Sequence, residues 1–176
     1  MRNKKFITLF IIILIFLSAC QTNNVEEVPY EGKALNIGVV GESPNIREEN
    51  ISFHNITLEE IYNSEPDFDA VFIMEDSLSE ASKNKFVKMY KEKSLPFFFI
   101  GSKANTVPFR DMENPASYKE EAAKINDTDT YISGFIYNQD TNEYDSWKFG
   151  YPVENSELQT DRIDEVYSSV FKVIEK

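Results

Sequence analysis

Two apolar runs constrain this chain more than any other feature. Ala70 to Glu75 reads AVFIME, and Leu95 to Ile100 reads LPFFFI. Neither alternates between apolar and polar, so each is apolar on both faces. Strands of that kind belong in a parallel sheet covered by helices on both sides, not in a half-exposed antiparallel sheet. Between them, SLSE at Ser77 to Glu80 has the form of a capping box and opens an expected helix to about Lys93. Leu78, Ser82, Phe86, Met89 and Lys93 fall on one side of it. Strand, helix and strand with short links make a βαβ unit, whose crossover is expected to be right-handed.

The elements before this unit extend the pattern. Leu35 to Gly41, LNIGVVG, is a strand bounded by turn residues, and Ile51 to Asn55 is a weaker one. TLEE at Thr57 to Glu60 is a second capping-box sequence before a short helix. The last third differs. Asn114 and Pro115 have the form of a helix start, running to about Ile125. Tyr131 to Tyr137 and Tyr144 to Phe149 flank NQDTNE and read as a hairpin at a sheet edge. Ile163, Val166, Tyr167, Val170 and Ile174 follow helical spacing; Asp161, Asp164 and Glu165 open the helix and Lys172 and Lys176 close it, matching the helix dipole. The expected fold is α/β: a three-layer sandwich with a mainly parallel sheet, flavodoxin-like or similar, plus a C-terminal hairpin and helix.

Met1 to Lys5 is basic, Phe6 to Leu17 is apolar but for Thr8, and Ser18 and Ala19 are small. That sequence of regions marks a secretory signal. The apolar part is short for a bilayer span. Cys20, the only cysteine, closes the stretch LSAC. LSAC resembles the lipobox of bacterial lipoproteins. The resemblance covers residues 1 to 20 and implies cleavage between Ala19 and Cys20 with lipid on the Cys20 thiol. Two acyl chains on one residue hold a protein stably to a membrane. The expected organisation is a signal peptide at 1–19, a lipidated cysteine and tether at 20–33, and one α/β domain at 34–176. The location implied is the outer face of the cell membrane, and the abundance of Asn, Lys, Ile and Glu fits a low-GC Gram-positive cell.

The formal net charge is −12. Loss of Arg2, Lys4 and Lys5 with the leader would leave 15 basic residues against 30 acids, or −15. A surface of that sign repels nucleic acid and anionic lipid head groups, so no nucleic-acid partner is expected.

In an open parallel sheet, ligands sit beyond the carboxyl ends of the strands. That rule selects Glu42, Ser43 and Asn45 after the first strand, Glu75 and Asp76 after the third, and Ser102 and Lys103 after the fourth. Gly38 and Gly41 stand in GVVGE, but there is neither a G-x-G-x-x-G nor a Walker pattern, so no nucleotide or flavin cofactor is expected. His54, the only histidine, has no G-x-S-x-G elbow to serve and reads as a strand-surface residue. Asn138, Asp140 and Asn142 alternate as in the first half of an EF-hand loop, but Glu143 and Phe149 stand where glycine and the bidentate acid belong. Asp127 and Asp129 form a second weak oxygen cluster. Tyr131, Tyr137, Tyr144, Trp147, Phe149 and Tyr151 crowd the hairpin, either as a binding surface or packed beneath the last helix. The function expected is a membrane-anchored, non-enzymatic binding or interaction domain with a protein or cell-wall partner. The alternative is an extracytoplasmic hydrolase using the rim carboxylates.

Overall fold

The computed structural model describes residues 28–110, 117–126 and 130–176. Six strands form one sheet in the order β2-β1-β3-β4-β5-β6. They are β1 (Leu35–Val40), β2 (Ile51–Asn55), β3 (Ala70–Ile73), β4 (Phe97–Ile100), β5 (Thr130–Asn138) and β6 (Glu143–Gly150). The first four are mutually parallel, while β5 runs antiparallel to β4 and makes a hairpin with β6 at the sheet edge. The α/β class, the mostly parallel sheet and the C-terminal hairpin and helix therefore stand as expected.

The doubly apolar strands explain the layering. Val71, Ile73, Phe97 and Phe99 point into one core, and Ala70, Phe72, Phe98 and Ile100 into the other. The first core is covered by α1 (Leu58–Asn63), α2 (Leu78–Ala81), α3 (Asn84–Glu92) and α4 (Tyr118–Ala122). The second is covered by α5 (Ile163–Ile174), which presents Val166, Tyr167, Val170 and Phe171. A small hairpin of β7 (Val153–Glu154) and β8 (Glu157–Leu158) precedes α5.

Local chemistry accounts for most helix ends. At α1 the Glu60 amide donates to Thr57 Oγ1 at 3.2 Å, and the Thr57 amide donates to the Glu60 carboxylate at 2.8 Å. This is the expected capping box. The SLSE box does not form: Glu75–Ser77 already winds as a 3-10 turn, and the Ser77 side chain makes no cap bond. The single helix expected from Ser77 to Lys93 is broken into α2 and α3, because Lys83 is extended at φ −68° and ψ 141°. At the joint Ser82 Oγ donates to Ser79 O and accepts the Tyr118 amide, tying α4 to the break. The side expected to face inward survives it, since Leu78, Ser82, Phe86, Met89 and Lys93 are all buried. Lys93 satisfies its ammonium on Ser64 O and Glu65, both at 2.6 Å.

Two further expectations are revised. Ser117 caps α4, which ends at Ala122 and not near Ile125, while Asn114 and Pro115 lie outside the described residues. Tyr30 falls in the expected tether but is 4% exposed, and its ring lies 5.9 Å from that of Phe171. Cys20 lies outside the described residues.

Gly134 makes the second core possible where β5 joins the parallel strands. A Cβ there would lie 2.4 Å from Phe98 Cδ1 and 2.9 Å from the Phe97 carbonyl oxygen. Phe98 and Trp147, its partners on either side, stack at 5.7 Å. Gly134→Ala should therefore cost about 2 to 3 kcal/mol by overpacking, read as a lower urea midpoint. An unchanged midpoint would mean that Phe98 yields freely.

Candidate functional site

The chain leaves β1 for β2 on one side, then crosses back to β3 on the other, so β1 and β3 flank the point where the winding reverses. Their carboxyl ends open into a cleft of about 400 Å³. Gly41 lets the β1 loop turn away at φ 116°, and a Cβ there would lie 2.8 Å from Met74 Cβ. That close approach sets the loop after β1 against the end of β3. Glu42, Ser43 and Asn45 consequently line one wall, and Glu75 and Asp76 the other.

Five of the seven rim residues selected from sequence thus share one cleft, and two do not. Gly101, at φ 73°, turns the chain away after β4. Ser102 is fully buried, and its hydroxyl donates to Asn105 O at 2.7 Å. Lys103 is exposed on the departing loop, and its amide donates to the Tyr118 hydroxyl at 3.4 Å. Ile100, Tyr131, Ile163 and Tyr167 complete the cleft where that loop was expected.

These four come from an antiparallel logic. β5 runs against β4, so its start lies beside β4's end, where the Gly101 amide donates to Tyr131 O at 2.8 Å. α5 likewise begins at the cleft with Ile163. Tyr131 packs against Tyr151 at 5.1 Å and meets Tyr167 edge-on at 6.3 Å. Burial, then the neighbouring Tyr131 and Tyr151 hydroxyls, push the Tyr167 phenol far above its ordinary value. Burial, Tyr131 and the Glu75 charge push Tyr151 up as well. The sequence signal for these residues was their membership of the aromatic hairpin and of the helical stripe.

No family model, no curated protein and no solved structure matches this chain.

His54 is exposed on β2, stacks on Phe68 at 5.8 Å, and does not line the cleft. Among the described residues, no three histidine, cysteine, aspartate or glutamate side chains come together as a metal-binding group. At the β5–β6 turn, Asn138 Oδ1 accepts the Asp140 amide at 2.9 Å and the Thr141 amide at 3.3 Å. Asn142 supplies the positive φ of 56° and accepts the Tyr137 hydroxyl. Asn138 and Asp140 border a second hollow of about 380 Å³ beside this turn. Asp127 and Asp129 lie outside the described residues. The six hairpin aromatics are each half-buried: Tyr131, Trp147, Phe149 and Tyr151 pack against the α5 core, and Tyr144 against the other.

A buried polar cluster braces the cleft from behind. Glu48, on the β1–β2 loop, is 7% exposed; its carboxylate accepts the Tyr30 amide at 3.2 Å and the Ser168 hydroxyl. Arg47 donates to Ser168 Oγ at 2.9 Å. The loop that forms one cleft wall is thereby fastened to α5 and to the segment preceding β1.

Proposed function

We propose that this chain is a bacterial surface lipoprotein whose single domain, of flavodoxin-like topology, binds a small ligand in the β1/β3 cleft. The observation that carries this reading is the position of the cleft. It lies beyond the carboxyl ends of parallel strands at a winding reversal, where open α/β sheets place their ligands. The order β2-β1-β3-β4 supports the flavodoxin-like reading, while the antiparallel β5 departs from that pattern. The cleft volume falls within the range of small-molecule sites.

The anchor reading rests on LSAC and on where the domain receives its tether. The Lys33 amide donates to Glu175 at 3.1 Å, and Lys172 donates to Val28 O at 3.3 Å. The tether therefore meets the domain at the carboxyl end of α5, while the cleft opens at its amino end. Twelve helical residues separate those ends by about 18 Å. A lipid on Cys20 would leave the cleft facing away from the bilayer.

Two experiments test the proposal. Cys20→Ser should abolish labelling by radioactive fatty acid and leave an uncut precursor; normal processing of the variant would overturn the anchor. The detergent-solubilised full chain should show a raised unfolding midpoint with at least one member of a panel of sugars, amino acids, amines, nucleotides and wall fragments. The shift should be lost in the Glu75→Gln/Asp76→Asn double variant. A shift indifferent to that variant would place binding elsewhere. Hydrolysis of a panel member, lost in the same variant, would overturn the non-enzymatic reading.

A further inference from the structure

We infer that the cleft takes a small organic ammonium ion, a conclusion that rests on the cleft being the binding site proposed above. Three observations with different origins converge on that class.

The first is the sign of the lining. Glu42, Glu75 and Asp76 border the cleft, and among the described residues no lysine, arginine or histidine does. Lys103, the one cation expected at the rim, is carried off by the turn at Gly101. Arg162 precedes the lining residue Ile163, but its guanidinium is held by Glu165 at 2.5 and 2.8 Å and by Glu154 at 2.5 Å. The amino end of α5 would favour an anion, yet its first turn carries Asp164 and Glu165. A phosphate or carboxylate ligand would meet Glu42 on one wall and Glu75 and Asp76 on the other.

The second is that, among the described residues, the acids do not form a metal site. Three carboxylates border one cleft, but they are not gathered into a group that could hold a metal ion. A compact divalent ion needs several oxygens at 2 to 2.6 Å simultaneously. Dispersed carboxylates around about 400 Å³ suit a cation whose charge is spread over a larger body.

The third is the nature of the remaining wall. Tyr131 provides aromatic surface, and Met74 and Ile163 provide apolar surface, with buried Ile100 and Tyr167 packed directly behind them. Tyr167 is 1% exposed and is braced by Phe72 and Phe171, so this wall is rigid. An alkylated or primary ammonium ion presents positive charge on an apolar body. Ring faces and carboxylates together recognise that combination, whereas hydrated sodium or calcium gains nothing from the rings.

The test uses the full chain in detergent, with choline and putrescine as probes. 3,3-Dimethylbutanol serves as the uncharged counterpart of choline, and sodium and calcium chlorides match the ionic strength. Choline or putrescine should raise the unfolding midpoint while the other three do not. Glu75→Gln/Asp76→Asn and, separately, Tyr131→Leu should each weaken binding by roughly tenfold. Equal shifts from choline and dimethylbutanol would overturn the ammonium class and keep the cleft. So would a shift from another panel member, lost in the double variant, with none from either amine. No shift from any compound that responds to the cleft variants would overturn the cleft reading, and this inference with it.

Discussion

Phe72→Ala should remove about 3 to 5 kcal/mol of folding stability, the largest loss expected from any single truncation in the α5 core. Phe72 is fully buried at the centre of β3. Its ring lies 5.7 Å from Phe98, 6.0 Å from Phe53 and 6.2 Å from both Tyr167 and Phe171. The Phe171 ring is almost parallel to it, at 5°. Removing the ring opens a cavity that four aromatic side chains cannot collapse into without leaving their rotamers. Since a domain's stability is typically about 5 to 15 kcal/mol, the variant should lose a large share of it. Urea unfolding of Phe72→Ala and Phe72→Leu checks this: leucine fills more of the cavity and should recover about half of the loss. The same variant should weaken any cleft ligand, because Tyr167 stands between Phe72 and the cleft. A loss under about 1 kcal/mol would mean that the aromatic cluster repacks freely, and the cleft wall could then not be called rigid.

That cluster also shows which features the sequence displayed. AVFIME and LPFFFI announced a two-sided core because the absence of alternation is itself a signal of burial on both faces. The α5 stripe was legible for a similar reason, since Val166, Tyr167 and Val170 repeat at helical spacing. The capping box at Thr57 was readable because both of its bonds are local. The direction of β5 was not: the residues of a strand look alike whether it runs with or against its neighbour. That one undetermined sign decided the site. Residues selected from parallel strand ends gave Glu42, Ser43, Asn45, Glu75 and Asp76, which do share the cleft. Tyr131 and Tyr167 escaped because they come from antiparallel elements that begin where the parallel strands end. Ser102 and Lys103 were included because a glycine after a strand signals a turn but not its heading. The break at Ser82 was hidden for another reason. It depends on a hydroxyl meeting the Tyr118 amide, a contact 36 residues away. Tyr30 was assigned to the tether because its neighbours are polar, and only its meeting with Phe171 makes it part of the core.

Stability should fall steeply above about pH 10, and the buried phenols of Tyr90 and Tyr167 should be leading contributors to the slope. Tyr90 is fully buried beside Phe97, Phe99 and Phe135, and its hydroxyl donates to Ala81 O at 3.0 Å. Burial holds its ionisation well above the ordinary value of 10.0. Tyr167 is raised by burial first, and then by Tyr131 and Tyr151. A tyrosine whose folded value is raised contributes its full stability below the unfolded value. Above it, the unfolded chain releases a proton that the folded chain keeps, so stability is lost as pH rises towards the folded value. Each such group costs about 1.4 kcal/mol per pH unit, and the pair about 3. Urea midpoints taken between about pH 9 and about pH 11 should show this, and Tyr90→Phe or Tyr167→Phe should each flatten the slope by about 1.4 kcal/mol per pH unit. The partition matters more than the total. Tyr90 lies in the α3 core and serves as a reference for a dry phenol. Tyr167 lies in the cleft wall. If only the Tyr90 variant flattens the profile, water reaches the Tyr167 hydroxyl through the cleft, and the apolar wall argued for an ammonium ligand is lost. If both do, the cleft has a dry aromatic wall beneath exposed acids, the arrangement that an organic cation requires.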